Sequence, residues 1–127
     1  MSQANHLISV VDDDPSMSRM LCRVIKAAGL SVDAFGSAEE FLDSESSRAS
    51  VCLILDMNLP GMSGLELQQR LHASRLEVPI IFMSAQGDDD MQRRALKAGA
   101  VGFLRKPFSI ELLLATLRSI PLPSFPS

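Results

Sequence analysis

Five side chains of this sequence stand where an apolar run stops, and their types suit one chemistry. Asp12 and Asp13 follow HLISVV, Asp56 follows VCLIL, Ser84 follows IIFM, and Lys106 lies just beyond AVGFL. Carboxylates gathered in one place repel by about 4 kcal/mol per pair at about 4 Å with an effective dielectric of about 20, so such a site wants a cation. Oxygen-only ligands with open positions select Mg²⁺, which keeps several waters and shares its shell with phosphate. A lysine and a hydroxyl aimed at the same point would neutralise a phosphoryl group and donate a hydrogen bond to it. Asp56 is then the best placed nucleophile, because phosphoryl transfer asks mainly for positioning and electrostatics.

These residues converge only if the strands lie side by side. The runs 6–11, 31–35, 51–55, 80–83 and 100–104 alternate with segments of helical spacing, which predicts a doubly wound α/β fold with a five-stranded parallel sheet. Order 2-1-3-4-5 makes the first and third strands neighbours at the switch point, so Asp12, Asp13 and Asp56 meet there. Asp14 with Pro15 starts the first helix, and Gly29 ends it. Ser37 with Glu40 and Ser63 with Glu66 are capping boxes, the first opening a helix to about Ser46. Residues 43–50, DSESSRAS, are expected to form a mobile loop. Asp88, Asp89 and Asp90 suit the start of a helix that Gly99 closes. The final helix, from about Ser109 to Ser119, carries Ile110, Leu113, Leu114 and Leu117 as its core stripe, which leaves Leu112 exposed.

With 127 residues and a net charge of −3, the chain has room for one domain and no basic footprint for direct nucleic-acid binding. No apolar run is long enough for a membrane span, and the N-terminus shows no signal-peptide pattern. Cys22 and Cys52 lack metal spacing and read as buried, reduced thiols, which suits a cytoplasmic protein. His6 and His72 have no ligand partners at suitable spacing.

Residues 6–119 resemble the receiver domains of two-component response regulators, a flavodoxin-like (CheY-like) fold. The motifs are the acid pair Asp12-Asp13, the D-x-x-L-P-x-M-x-G run from Asp56 to Gly64, Ser84, and Lys106-Pro107. The resemblance implies that Asp56 accepts a phosphoryl group from a sensor histidine kinase or phosphotransfer protein. It implies that Asp13 and Asp56 hold Mg²⁺, or Mn²⁺ in its place, with the Asn58 carbonyl, while Asp12 holds a metal-bound water. Ser84 and Lys106 would contact the phosphoryl oxygens, and Ser84 with Phe103 would form the switch. Asn58 and Gln86 would tune hydrolysis, and the Lys106–Pro107 bond is commonly cis in that family. The switched face would be the fourth helix, fifth strand and fifth helix. There Leu112, beside Arg93, Arg94 and Lys97, would support a phosphorylation-dependent homodimer or a partner.

Ser where Thr is frequent and Phe where Tyr is frequent depart from the commonest pattern. The segment from Gln86 to Phe108 resembles the branch with helix-turn-helix DNA-binding outputs, so the expected output is transcription. The domain is expected over residues 1–120, with 121–127, PLPSFPS, a tail or linker stub, and either a free-standing receiver or part of a longer regulator fits. A haloacid dehalogenase phosphatase is the enzyme alternative, but it places its nucleophile first with a second Asp two residues on, where this chain has Asn58. An FMN carrier would want a hydroxyl-rich loop where this chain has DDDP. The chain is therefore read as catalysing only its own phosphorylation and dephosphorylation, and a degenerate scaffold is disfavoured because no site residue is missing.

Overall fold

Along the described residues strands are connected by helices, two of them between the second and third strands. The computed structural model describes residues 6–85 and 89–120. In order they form β1 (Leu7–Val11), α1 (Pro15–Ala27), β2 (Ser31–Phe35), α2 (Ala38–Leu42), α3 (Ser46–Ala49) and β3 (Ser50–Asp56). They continue with α4 (Gly64–Ala73), β4 (Ile80–Ser84), α5 (Asp89–Lys97), β5 (Gly102–Arg105) and α6 (Ile110–Arg118). The strands pair in parallel in the order β2-β1-β3-β4-β5, as the sequence predicts.

Alternation along the strands splits the core into two layers. Ile8, Val10, Cys52, Ile54, Ile81 and Met83 face the side covered by α1 and α6, where Leu21, Ile25, Leu113 and Leu117 are buried. Val11, Leu53, Leu55, Ile80 and Phe82 face the other side with Phe41, Leu67, Leu71 and Ala95. Both faces of the central strands are thus buried, which explains why β3 reads as an unbroken apolar run.

Several expectations are corrected. Ser37 caps α2, but Glu40 accepts from Gly36 N at 3.3 Å, one residue before the N-cap, so the expected capping box is not closed on Ser37. The helix after Ser37 stops at Leu42, and residues 43–50 include α3, with Ser46 and Ser47 buried. Hydroxyls make this polar segment packable, because each finds a partner. Ser46 Oγ donates to Asp33 Oδ2 at 2.7 Å, Ser47 Oγ to Ser44 O at 2.9 Å, and Ser50 Oγ to Ser46 O at 2.6 Å. Ile110 is 50% exposed, so the buried stripe of α6 is Leu113 and Leu117. Side chains of a helix lean toward its N-terminus, so at the first helical position Ile110 points past the end of α6. Cys22 is only partly buried, whereas Cys52 is fully buried and its thiol is pushed up to about 12 by desolvation.

Gly64 opens α4 directly behind the end of β3. A Cβ there would lie 2.7 Å from Asp56 O and 3.1 Å from Phe82 Cε1, so backbone and ring leave no space for one. Gly64→Ala should lower unfolding stability by about 2 kcal/mol, the usual scale of overpacking, as measured by urea denaturation. An unchanged midpoint would contradict this packing.

Candidate functional site

Parallel pairing brings the strand ends together. Val10 and Val11 of β1 pair with Ile54 and Leu55 of β3, so the chain reaches Asp12 and Asp56 at the same edge. On the far side of β3, Asp56 pairs with Met83, and Ser84 pairs with Arg105. Lys106 N donates to Ser84 O at 2.7 Å, which places its side chain over the β3 end. The Lys106–Pro107 peptide is cis, the isomer common in the resembled family.

The result is one compact polar site. Carboxylate oxygens of Asp12, Asp13 and Asp56 lie within 4.8 Å of one another. Lys106 Nζ donates to Asp12 Oδ2 at 3.1 Å and stands 3.5 Å from Asp56 Oδ2. Asp12 and Asp56 are buried, and Asp13 is exposed. Backbone donors complete the cradle: Asp14 N reaches Asp12 Oδ1 at 2.9 Å, and Asn58 N reaches Asp56 Oδ1 at 3.2 Å. Asp14 itself caps α1, its carboxylate accepting from Ser16 N at 2.9 Å.

Burial raises the pKa of Asp56, opposed by the Asn58 amide and the Lys106 charge and reinforced by Asp12. For Lys106, burial works against the charge, but the hydrogen bond to Asp12 and the negative charges of Asp56 and Asp12 outweigh it, and its pKa is raised. Lys106 therefore stays an ammonium. The three carboxylates supply hard oxygen donors, two from buried positions, which is the donor set a divalent cation such as Mg²⁺ takes.

Ser84 is fully buried, and its hydroxyl donates to Ala85 O at 2.9 Å. Phe103 pairs in register with Phe82 and packs, half-buried, against the layer that holds Ala95 and Met91 of α5. Gln86 and Asp88 lie outside the described residues. Asp89 and Asp90 stand in the first turn of α5, as the sequence predicts. Asp89 also pairs with Arg105, which holds its carboxyl below the usual range, and Arg105 donates to Gln92 Oε1 at 2.8 Å.

Some contacts carry no local sequence signal. Gln68 of α4 donates from Nε2 to Ala95 O at 3.2 Å, and His72 Nε2 lies 3.1 Å from Ala98 O, so α4 grips the C-terminal half of α5. Glu39 of α2 reaches Met62 N at 3.1 Å.

A strand-end acid cluster joined to a lysine on this fold defines a class, and the comparisons agree. Residues 8–118 match the response regulator receiver domain family, and the chain belongs to it. It is 47% identical over 108 residues to nodulation protein W of Bradyrhizobium diazoefficiens, covering 85% of this chain and 48% of that protein. It is 43% identical over 119 residues to the response regulator protein TodT of Pseudomonas putida, covering 94% of this chain and 52% of that protein. Among solved structures, the response regulator StyR superposes with a TM-score of 0.84 at 43% identity, over 91% of this chain and 58% of that one. The structure titled FixJ-N gives a TM-score of 0.81 at 32% identity, over 91% and 93%. The chain spans about half the length of the curated relatives it matches.

A raised carboxyl pKa means that the folded state holds its proton more tightly than the unfolded chain does, so stability falls as pH rises through that pKa. Asp56→Asn should therefore be more stable than wild type at neutral pH without metal. The gap should close as pH falls through the raised pKa toward the ordinary carboxylate value of about 4. Urea denaturation in EDTA across that range checks this, and a variant less stable at neutral pH would contradict it.

Proposed function

We propose that this chain is a phosphoacceptor: a partner histidine kinase or phosphotransfer protein delivers a phosphoryl group to Asp56 in a Mg²⁺-dependent reaction. The observation that carries the reading is the joint placement of the buried Asp56 carboxylate, the Lys106 ammonium 3.5 Å away and the neighbouring acids Asp12 and Asp13. The receiver domain would then span 1–120, and 121–127, which lie outside the described residues, would be a tail or linker stub.

Asp13, Asp56 and the Asn58 carbonyl would hold Mg²⁺, or Mn²⁺ in its place, and Asp12 would hold one of its waters. Bound there, the cation supplies charge neutralisation for the incoming phosphoryl oxygens. A carboxylate oxygen of Asp56 forms the new O–P bond as the N–P bond of a phosphohistidine breaks, and the electron pair of that bond leaves on the imidazole. Lys106, kept protonated beside Asp12, lies close enough to Asp56 to meet a phosphoryl oxygen on it. Asp12 holds that ammonium in place. The chain catalyses only this transfer and the later hydrolysis, whose rate Asn58 and Gln86 would tune.

Ser84 is the first half of the switch. Turning its hydroxyl from Ala85 O to a phosphoryl oxygen draws the residue toward Asp56, and the ring of Phe103 fills the space behind it. A Phe ring gains burial there with no hydroxyl left to satisfy. The face that responds is α5, β5 and α6, numbered one higher than the sequence suggests because α3 intervenes. Leu112 is 49% exposed on it. Its role is a phosphorylation-dependent homodimer or partner contact controlling transcription, consistent with relatives named as transcriptional regulatory proteins. Cytoplasmic placement accords with such a partner, and among the described residues no helix is long and apolar enough to cross a membrane.

With Mg²⁺ and acetyl phosphate the chain should take up one phosphoryl group per molecule, and Asp56→Asn none. Uptake that survives in Asp56→Asn would contradict the assignment. In beryllofluoride, light scattering should report self-association that Leu112→Glu and Arg93→Glu weaken by about tenfold or more, the loss expected from placing a charge in an apolar contact or reversing one beside it. Equal dimerisation of wild type and both variants would mean that another face associates.

A further inference from the structure

The corner between β2 and α2 stands at the same sheet edge as the acids. Asp12 N donates to Phe35 O at 3.1 Å, and Phe35 ends β2 just before α2 begins. Two consecutive carboxylates occupy the first turn of α2, and they act in different directions. Glu40 closes the helix start, accepting from Gly36 N at 3.3 Å, while Ser37 Oγ accepts from Glu40 N at 3.1 Å. Glu39 instead reaches across to the loop between β3 and α4, where its Oε2 accepts from Met62 N at 3.1 Å.

That loop carries Asn58. Its near end is held by the bond from Asn58 N to Asp56 Oδ1 and by Leu59, 8% exposed. Its far end is held by the capping box, in which Ser63 N donates to Glu66 Oε1 at 3.0 Å and Glu66 N donates to Ser63 Oγ at 3.2 Å. Between them stands Gly61 at φ +75°, a conformation that favours glycine, the most permissive residue of the loop. A Cβ at Gly61 would lie 2.9 Å from the same Glu39 oxygen, so the carboxylate packs on the one point where the loop can most easily bend.

We propose that Glu39 is a positioning residue for the Asp56 site. By tethering Met62 and packing on Gly61 it restrains the loop that presents the Asn58 carbonyl, and so sets the affinity of the site for a divalent cation. The inference rests on the reading of this site as a Mg²⁺-dependent phosphoacceptor. Glu39 touches neither phosphoryl group nor cation. Its action is entropic, because a loop already restrained loses less freedom when the cation binds.

The test uses the full chain, with Mg²⁺ affinity from calorimetry and Met62 amide exchange from NMR in the absence of metal. Glu39→Ala should weaken Mg²⁺ binding by about fivefold, the scale of one net hydrogen bond, and should speed Met62 exchange. Glu39→Gln keeps an acceptor oxygen and should stay within about twofold of wild type in both, a small spread on that same scale. Wild-type affinity in Glu39→Ala overturns the inference. So does a loss in Glu39→Gln as large as in Glu39→Ala, because distant charge rather than the tether would then be responsible. A wild-type chain that takes no Mg²⁺ overturns the phosphoacceptor reading and this inference with it, whereas wild-type binding with an indifferent Glu39→Ala overturns the inference alone.

Discussion

Lys106 stands between two buried carboxylates, 3.1 Å from Asp12 and 3.5 Å from Asp56, and the site depends on that placement. Removing a charge from water is costly unless a partner compensates, and two like charges side by side compound the penalty. One ammonium shared by both acids offsets it only in part, as the raised pKa of Asp56 shows. The site is therefore short of positive charge by construction, and a further cation or a rearranged lysine changes its energy strongly. A fold that keeps this deficit at the carboxyl edge of its sheet has a ready place to register a new ligand.

The sheet exists to hold that geometry. Parallel pairing forces the ends of β1, β3, β4 and β5 to one edge, and both layers of core bury β1, β3 and β4 so that these cannot slip without exposing apolar side chains. Gly64 lets α4 begin against the backbone of Asp56, and Lys106 N bonds to Ser84 O, so hydroxyl and lysine are positioned by one backbone contact. On the next strand Phe103 packs in the same layer as Ala95 of α5, and α5 is held at its C-terminal end by Gln68 and His72 of α4.

Much of this was legible in the sequence because it rests on local chemistry. Apolar runs that stop at Asp, Ser or a basic pair mark strand ends, Ser63 with Glu66 forms the capping box that the pattern implies, and parallel order then brings Asp12, Asp56, Ser84 and Lys106 together. What was not legible depends on distant partners. Residues 43–50 read as a loop because serines are polar, yet Asp33 and neighbouring carbonyls satisfy them and allow α3 to pack. Ile110 fits the helical period but lies at the first position of α6, where its side chain stays half exposed. Glu39 looks like an ordinary helix-start acid, and only folding brings Met62 to it.

The central claim is that this edge is a phosphoacceptor with Asp56 as its single acceptor. Borohydride reduction after treatment with Mg²⁺ and acetyl phosphate converts an aspartyl phosphate to homoserine, and peptide mass spectrometry locates the change. The account predicts reduction at position 56 alone. Reduction at Asp12 or Asp13, or phosphate retained on Ser84 or His72 with position 56 unmodified, would contradict it.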